Sequence, residues 1–356
     1  MEGIRVLDAS GVRVGGAKQV LIETLKNLRT VDSKVILVVH ESLRNEIESH
    51  VFADVVLETV YFGNNFLLNL RVLKLLANHS KLSWFTLFGP GKCAFPFNRL
   101  TGFADGWCYG DLSTLKSKIP RVEKTKIRIR CVIKLLILSL ISKSIIVETD
   151  DARRRLKSFV LFRKKPVFIV PNAIPSVSCK IASKPAEKNN YRIGYLSAKY
   201  SHKNHELLNE IVPDLRRLKC QFFVTLANSE YNDLFKGKED IIINAGVVGV
   251  RDLDKFYLNI DAIAHLSLLE TFSVSYLEAF CFGKPVIATD FEFAREICGS
   301  SALYFDPSRP KELVDLIEKL KTNKKLQLAR ANSGFEGLDK HIYSIDRTKK
   351  YLRLWQ

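Results

Sequence analysis

Short apolar runs with strand character alternate with stretches of helical period, and the alternation runs through the chain twice. That pattern is the sequence sign of α/β doubly wound parallel sheets. In the first half "IRVLDAS" (4–10), "KVILVVH" (34–40), "DVVLETV" (54–60) and "SIIVET" (144–149) read as strands, and "AKQVLIETLKNL" repeats apolar residues at helical spacing. "PVFIVPNAIP" (166–175) closes this half, its prolines marking an exit from the sheet. The polar, non-periodic stretch 176–190 reads as a linker. Beyond it "YRIGYLS", "CQFFVTLA", "DIIINAG", "DAIAHLS", "PVIATD" and "ALYFDP" restart the series. Two Rossmann-like domains are therefore predicted, 1–175 and 191–340, facing across a cleft with ligands at the carboxyl ends of strands. In the last segment, 341–356, Ile345, Thr348, Leu352 and Trp355 form one helical stripe, predicted to pack back across the interface.

A chain of 356 residues, 47% hydrophobic, suits two such domains. Seven scattered cysteines without a C-x-x-C pair point to buried thiols in a reducing compartment. The amino terminus has no signal-peptide layout, so a cytoplasmic protein is expected. The net charge of +17 draws the chain towards an anionic partner: nucleic acid, a lipid surface or a phosphorylated substrate. No nucleic-acid-binding signature accompanies the charge, which argues against nucleic acid. The longest apolar run, "CVIKLLILSLI" (131–141), is too short to cross a bilayer. The basic segment 116–130 precedes it, and two readings stand: a buried helix with a solvated basic approach, or a monotopic segment seated on anionic lipid at the inner face of a cell membrane.

Around residues 265–290 the sequence "HLSLLETFSVSYLEAFCFGKPVIATD" reads as strand, turn, helix, strand, with Glu270 in the turn and Glu278 about one turn inside the helix. "SYLE" matches an S-x-x-E capping box, which by itself would explain Glu278. The second reading is chemical. Amides at the helix start attract a phosphate, whereas a carboxylate repels it but accepts hydrogen bonds from hydroxyls. Two carboxylates flanking a phosphate site suit a nucleotide sugar, one on the ribose and one on the hexose.

The segment "SLLETFSVSYLEAFCFGKPVIATD" closely resembles the E-x7-E motif of retaining family-4 glycosyltransferases with the GT-B fold. "GGAKQVLIETLKNL" (15–28), "VPNAI" (170–174), "SHKNHELL" (201–208), "INAGVVGVRDLDKFY" (243–257) and "ALYFDP" (302–307) resemble further family segments in the same order. The resemblance implies that Glu278 holds the ribose hydroxyls. It also implies that Glu270 stands near the donor hexose, with the amides of Thr271, Phe272, Ser273 and Val274 around it. The base would rest on the backbone at Val247 and Val248, leaving UDP and GDP sugars both open. Lys203 matches the diphosphate-binding lysine; a fixed cation there stabilises charge on the departing nucleoside diphosphate. The arginine often paired with it is replaced by Tyr195, and Lys199 is the nearest cation.

Gly15 and Gly16 would let backbone amides approach the diphosphate or acceptor. On the acceptor side Asp105 and Glu148 are the polar candidates, and the glycine-rich turns 88–92 and 101–107 are expected to face the cleft. His202 reads as structural. "TDD" (149–151) lacks the D-x-D spacing, so no metal and no cofactor are expected. The function implied is a retaining, metal-independent transfer of a hexose from a UDP or GDP sugar to a saccharide, free or lipid-linked, in surface polysaccharide or glycoconjugate synthesis. A sugar-nucleotide epimerase or hydrolase on the same fold, and a basic nucleic-acid-binding protein, stand as alternatives.

Overall fold

The computed structural model describes residues 4–13, 15–50, 52–79, 81–110, 119–174 and 190–355. The linker segment, apart from Asn190, and positions 116–118 of the basic segment lie outside the described residues. The chain forms two units: Met1–Gly110, Arg121–Ala173 and Ile342–Gln356 make the first, and Ile174–His341 make most of the second.

In the first unit the order is β1 (Ile4–Ala9), α1 (Gly15–Thr30), β2 (Val35–His40), α2 (Arg44–Ser49), β3 (Val56–Phe62), α3 (Asn65–Asn78), β4 (Leu82–Thr86), β5 (Arg99–Gly102), α4 (Gly106–Tyr109), α5 (Arg121–Ile141), β6 (Ser142–Val147), α6 (Asp150–Ser158) and β7 (Val167–Ile169). All seven strands are parallel, in the order β3-β2-β1-β4-β5-β6-β7. Near-continuous apolar strands such as "VILVVH" follow from burial on both faces. Leu7, Leu37 and Val39 pack on the α1 side, while Val6, Ile36 and Val38 pack towards α3.

The second unit continues with β8 (Tyr191–Tyr195), α7 (Leu207–Arg217), β9 (Cys220–Val224), α8 (Asn228–Phe235), β10 (Ile242–Asn244), α9 (Leu253–Asn259), β11 (Ala262–His265), α10 (Val274–Cys281), β12 (Val286–Thr289), α11 (Glu292–Cys298), β13 (Ala302–Phe305), α12 (Pro310–Thr322) and α13 (Lys324–Gly337). Its six parallel strands run β10-β9-β8-β11-β12-β13. The order reverses between β8 and β11, the point where α/β sheets gather their ligands.

The last helix, α14 (Ser344–Leu354), belongs to the first unit and packs on α1. Its buried stripe is Arg347, Thr348, Tyr351 and the following Trp355; Ile345 and Leu352 sit half-buried beside it. Thr348 and Trp355 of the expected stripe are buried, while Arg347 and Tyr351 take the places of Ile345 and Leu352. Tyr351 and Trp355 both pack on Phe85 with ring centroids 5.0 and 5.4 Å away. Arg347 donates to Glu23 over 2.8 Å and to the Asn172 side chain.

Strands β4 and β5 bring a feature that composition hides. Asp8, next to last in β1, is fully buried. It accepts from the Ser10 amide (2.9 Å), the Thr86 hydroxyl (3.0 Å) and the Trp84 indole (3.4 Å), and Arg99 Nη1 stands 3.5 Å away. Arg99 is equally buried and donates to the carbonyls of Pro90 (2.8 Å) and Cys93 (3.0 Å). The turn at 88–92 is thus wrapped around an internal ion pair. Gly91, at φ +68°, has no alternative: a Cβ there would lie 2.7 Å from the Asp8 carboxylate.

Among the described residues, no helix is long and apolar enough to cross a membrane, and no cluster of three or more metal-ligating side chains occurs.

Candidate functional site

The site assembles where the loops after β8 and β11 leave the sheet. Tyr195, the last residue of β8, is buried, and its hydroxyl donates to the Lys203 carbonyl over 2.6 Å while lying 3.2 Å from the Ser267 hydroxyl. The Leu268 amide donates to the His202 carbonyl at 2.7 Å, and Thr289 donates to the Ser267 carbonyl at 2.7 Å. These bonds stitch the two loops together. A 3-10 turn, Ser201–Lys203, ends at Asn204 in the left-handed region, a conformation that asparagine tolerates.

The turn delivers Lys203 to Glu270. Their side chains, 16% and 11% exposed, form an ion pair and hydrogen bond. Burial works against the Lys203 charge, but Glu270 beside it and the nearby Tyr195 phenol outweigh that and hold the lysine above its ordinary value. The residue stays an ammonium. It has three donors, of which Glu270 accepts one.

Helix α10 begins directly beyond. Ser273 is its N-cap, yet its hydroxyl caps nothing: it meets the Ser275 hydroxyl at 2.9 Å, which in turn meets His265 Nε2 at 2.8 Å. Ser273 therefore leaves the first-turn amides uncapped by its own side chain, and the positive end of a helix favours an anion. The capping-box reading of "SYLE" fails here, because the helix starts at Val274 and places Glu278 in the second turn. Glu278 is buried and accepts from the Tyr257 hydroxyl of α9 at 3.1 Å. The same hydroxyl lies 3.3 Å from the Ser275 carbonyl, so Tyr257 joins Glu278 to the first turn of the helix. Burial together with the Glu278 carboxylate pushes the Tyr257 phenol well up, which keeps it a donor.

Burial raises the Glu278 carboxyl to about 7, with the Tyr257 bond opposing the shift. An unfolded carboxyl titrates near 4.3, so between these values the native state binds more protons than the unfolded state. The stability contribution of Glu278 accordingly falls as pH rises through this window and stays lost above it. Glu278→Gln should melt higher than wild type at about pH 8, by up to roughly 3 kcal/mol, and converge with it near about pH 4. Paired thermal melts across that range check the sign; a variant that is less stable at the alkaline end contradicts the assignment.

The other expected residues fall as follows. Lys199 pairs with Asp233 of α8 at 3.3 Å, a surface contact that directs it to a different neighbour from Lys203. Val247 and Val248 follow β10; Val247 is exposed and Val248 packs against the core beside α10. Thr271, Phe272 and Val274 are half-buried around the turn, and Ser273 is buried. In the first unit, Gly15 and Gly16 open α1, Gly15 at φ +69°, with no atom within 4 Å of a Cβ added at either. Asp105 is the N-cap of α4, accepting from the Trp107 amide (3.1 Å), and is ion-paired to Lys134. Glu148 is half-buried just past the carboxyl end of β6.

Tyr257 was not singled out in the sequence; its distance from Glu278 along the chain left no local signal. A cavity of about 590 Å³ also opens in the second unit, lined by Asn204, Leu207, Glu210, Leu268, Asp290 and Arg309 among others. It touches the same two loops but neither Lys203, Glu270 nor Glu278 lines it. The Lys203–Glu270 ion pair and the start of α10, with Glu278 in its second turn, stand on the loops after β8 and β11.

The profile of a family described as glycosyl transferases group 1 matches residues 179–336, which fall almost wholly in the second unit. No curated protein matches the sequence. Among solved structures, Anabaena Alr3699/HepE in complex with UDP and glucose is similar over 99% of this chain and 98% of its own, with a TM-score of 0.69 and 15% identity. Sucrose-phosphate synthase from Thermosynechococcus elongatus aligns over 100% and 98% (TM-score 0.74, 13% identity). WaaG, a glycosyltransferase involved in lipopolysaccharide biosynthesis, aligns over 99% of both chains (TM-score 0.70, 13% identity). The fold is that of the GT-B glycosyltransferases, built from two Rossmann-like α/β units.

Proposed function

We propose that the protein is a retaining, metal-independent hexosyltransferase of the E-x7-E, family-4 type, which moves a sugar from a nucleoside diphosphate to a saccharide acceptor hydroxyl. The observation that carries this is the Lys203–Glu270 pair set beside the uncapped start of α10, with Glu278 one turn further in. The match of residues 179–336 to the glycosyl transferases group 1 profile, and neighbours solved with UDP and with UDP-glucose, support it.

Lys203 donates to the diphosphate with the two hydrogens Glu270 leaves free, and the α10 amides share the remaining charge. Glu270, with one oxygen held by Lys203, offers the other to hexose hydroxyls. Glu278 accepts from the ribose, and the backbone at Val247 and Val248 supports the base. As the bond from the anomeric carbon to the phosphate oxygen breaks, the acceptor oxygen bonds to that carbon on the same face. Its proton passes to the departing phosphate oxygen, so atoms and charge balance without a protein base. We assign acceptor recognition to the first unit, at Gly15, Gly16 and Glu148, for a free or lipid-linked saccharide in surface glycoconjugate synthesis.

An epimerase or hydrolase needs an acid or base working near neutral pH. His205 and His265 are the buried histidines of these loops, and burial followed by the Lys203 charge lowers them to about 4 and about 3. Neither suits that work. The Glu278 carboxyl, at about 7, is the group that would serve it. In the proposed transferase it holds the ribose, so product analysis with and without acceptor separates the two.

A thermal-shift comparison of UDP, GDP and inorganic phosphate tests the reading. One nucleoside diphosphate is expected to stabilise the protein by about 2.7 kcal/mol at a hundredfold excess over its Kd. The matching sugar nucleotide should be consumed rapidly only with a saccharide acceptor present, giving a product of unchanged anomeric configuration, with or without a chelator. Equal consumption without acceptor would favour a hydrolase.

A further inference from the structure

Helix α5 has two apolar faces, and the fold uses one. Ile127, Leu135, Leu138 and Ile141 are buried, Leu135 and Leu138 against the core under β6. On the opposite side Ile129, Val132, Ile133, Leu136, Ile137 and Leu140 are exposed, Leu140 by 73%. At 3.6 residues per turn these six fall within an arc of about 140°, an unbroken stripe along just over three turns. The 3-10 turn Val160–Phe162 rests against α5 and extends the surface with Val160, 75% exposed, and Leu161. Helix α3, on the same face of the sheet, exposes Phe66, Leu67, Leu70 and Leu73. Surfaces of this kind mark a docking site.

Charge decides what docks. Residues 121–141 carry six basic side chains and one acidic. Arg128 flanks the stripe on one side and Arg130 on the other, and Lys126 stands at its amino-terminal end, all exposed, with exposed Arg163 and Lys164 beyond the 3-10 turn. A second copy packed face to face would set these basic rims against each other. An anionic lipid surface accepts the apolar stripe among its acyl chains and the rim among its headgroups. We propose that α5 and the Val160–Phe162 turn seat the first unit on an anionic bilayer, the stripe lying in the plane of the interface. The inference stands apart from the donor-site chemistry of the second unit.

Co-sedimentation with vesicles of phosphatidylcholine, with and without phosphatidylglycerol, tests it. Wild type should bind the anionic vesicles and be released by salt. The triple variant Lys126→Ser, Arg128→Ser, Arg130→Ser should lose about fivefold in partitioning per charge removed, roughly 100-fold in all. Ile133→Ser, Leu136→Ser, Leu140→Ser should lose binding as well. Removing three charges from the second unit (Lys319→Ser, Lys324→Ser, Lys325→Ser) should leave partitioning within a few-fold of wild type. Retention of the nucleotide thermal shift reports that each variant is folded and keeps the donor site separate from the outcome. Equal binding to neutral and anionic vesicles, an equal loss in the second-unit control, or a dimer abolished by the serine variants without vesicle binding would each overturn the proposal.

Discussion

Lys203→Ala should lower sugar transfer by about 100- to 1,000-fold, the loss appearing in kcat as well as in nucleoside diphosphate affinity. In the proposed reaction this cation would face charge that grows as the glycosidic bond breaks, so its contribution would be larger in the transition state than in the bound substrate. The substitution also leaves Glu270 enclosed beside no cation, which costs stability. A companion separates the two effects. Lys203→Met with Glu270→Gln removes both charges at similar volume, and should recover the melting temperature without recovering transfer. Steady-state kinetics and melts on the three proteins check this; near wild-type turnover by Lys203→Ala would remove the lysine from the chemistry.

The second large effect concerns stability in the other unit. Asp8→Ala should destabilise the first unit by about 3–5 kcal/mol, because Arg99 remains charged and buried with its partner gone. Three donors, from Ser10, Thr86 and Trp84, lose their acceptor at the same time. Adding Arg99→Met should restore part of the loss, since removing both charges is far less costly than removing one. All three tryptophans, Trp84, Trp107 and Trp355, lie in the first unit, and Trp84 touches Asp8 itself. Urea unfolding followed by their fluorescence therefore reports directly on this unit. A shift below about 1 kcal/mol for Asp8→Ala would show that the pair is not holding the 88–92 turn.

The strand–turn–helix order of residues 262–281 was legible because the segment is contiguous. Glu270, Glu278 and the helix between them stand in one unbroken segment, and periodicity alone placed most strands. What escaped depends on distant pairing. Strand β5, "RLTG", begins with an arginine and looks like a loop until Asp8, far back in the chain, is seen beside it. The partners Lys199–Asp233 and Glu278–Tyr257 are likewise set by the sheet order. Helix α5 posed a different difficulty. Its run of apolar residues has no polar side to phase it, so only packing reveals which face the core takes and which face it leaves outward.

The placement of the donor can be measured outright in a crystal structure of the protein soaked with the nucleoside diphosphate that gives the largest thermal shift. The expected density has the diphosphate bridging Lys203 Nζ and the amides that open α10, with the ribose hydroxyls on Glu278. Density for that nucleotide in the cavity lined by Asn204, Asp290 and Arg309, or on the basic rim of α5, with Lys203 untouched, would contradict the site proposed for this protein.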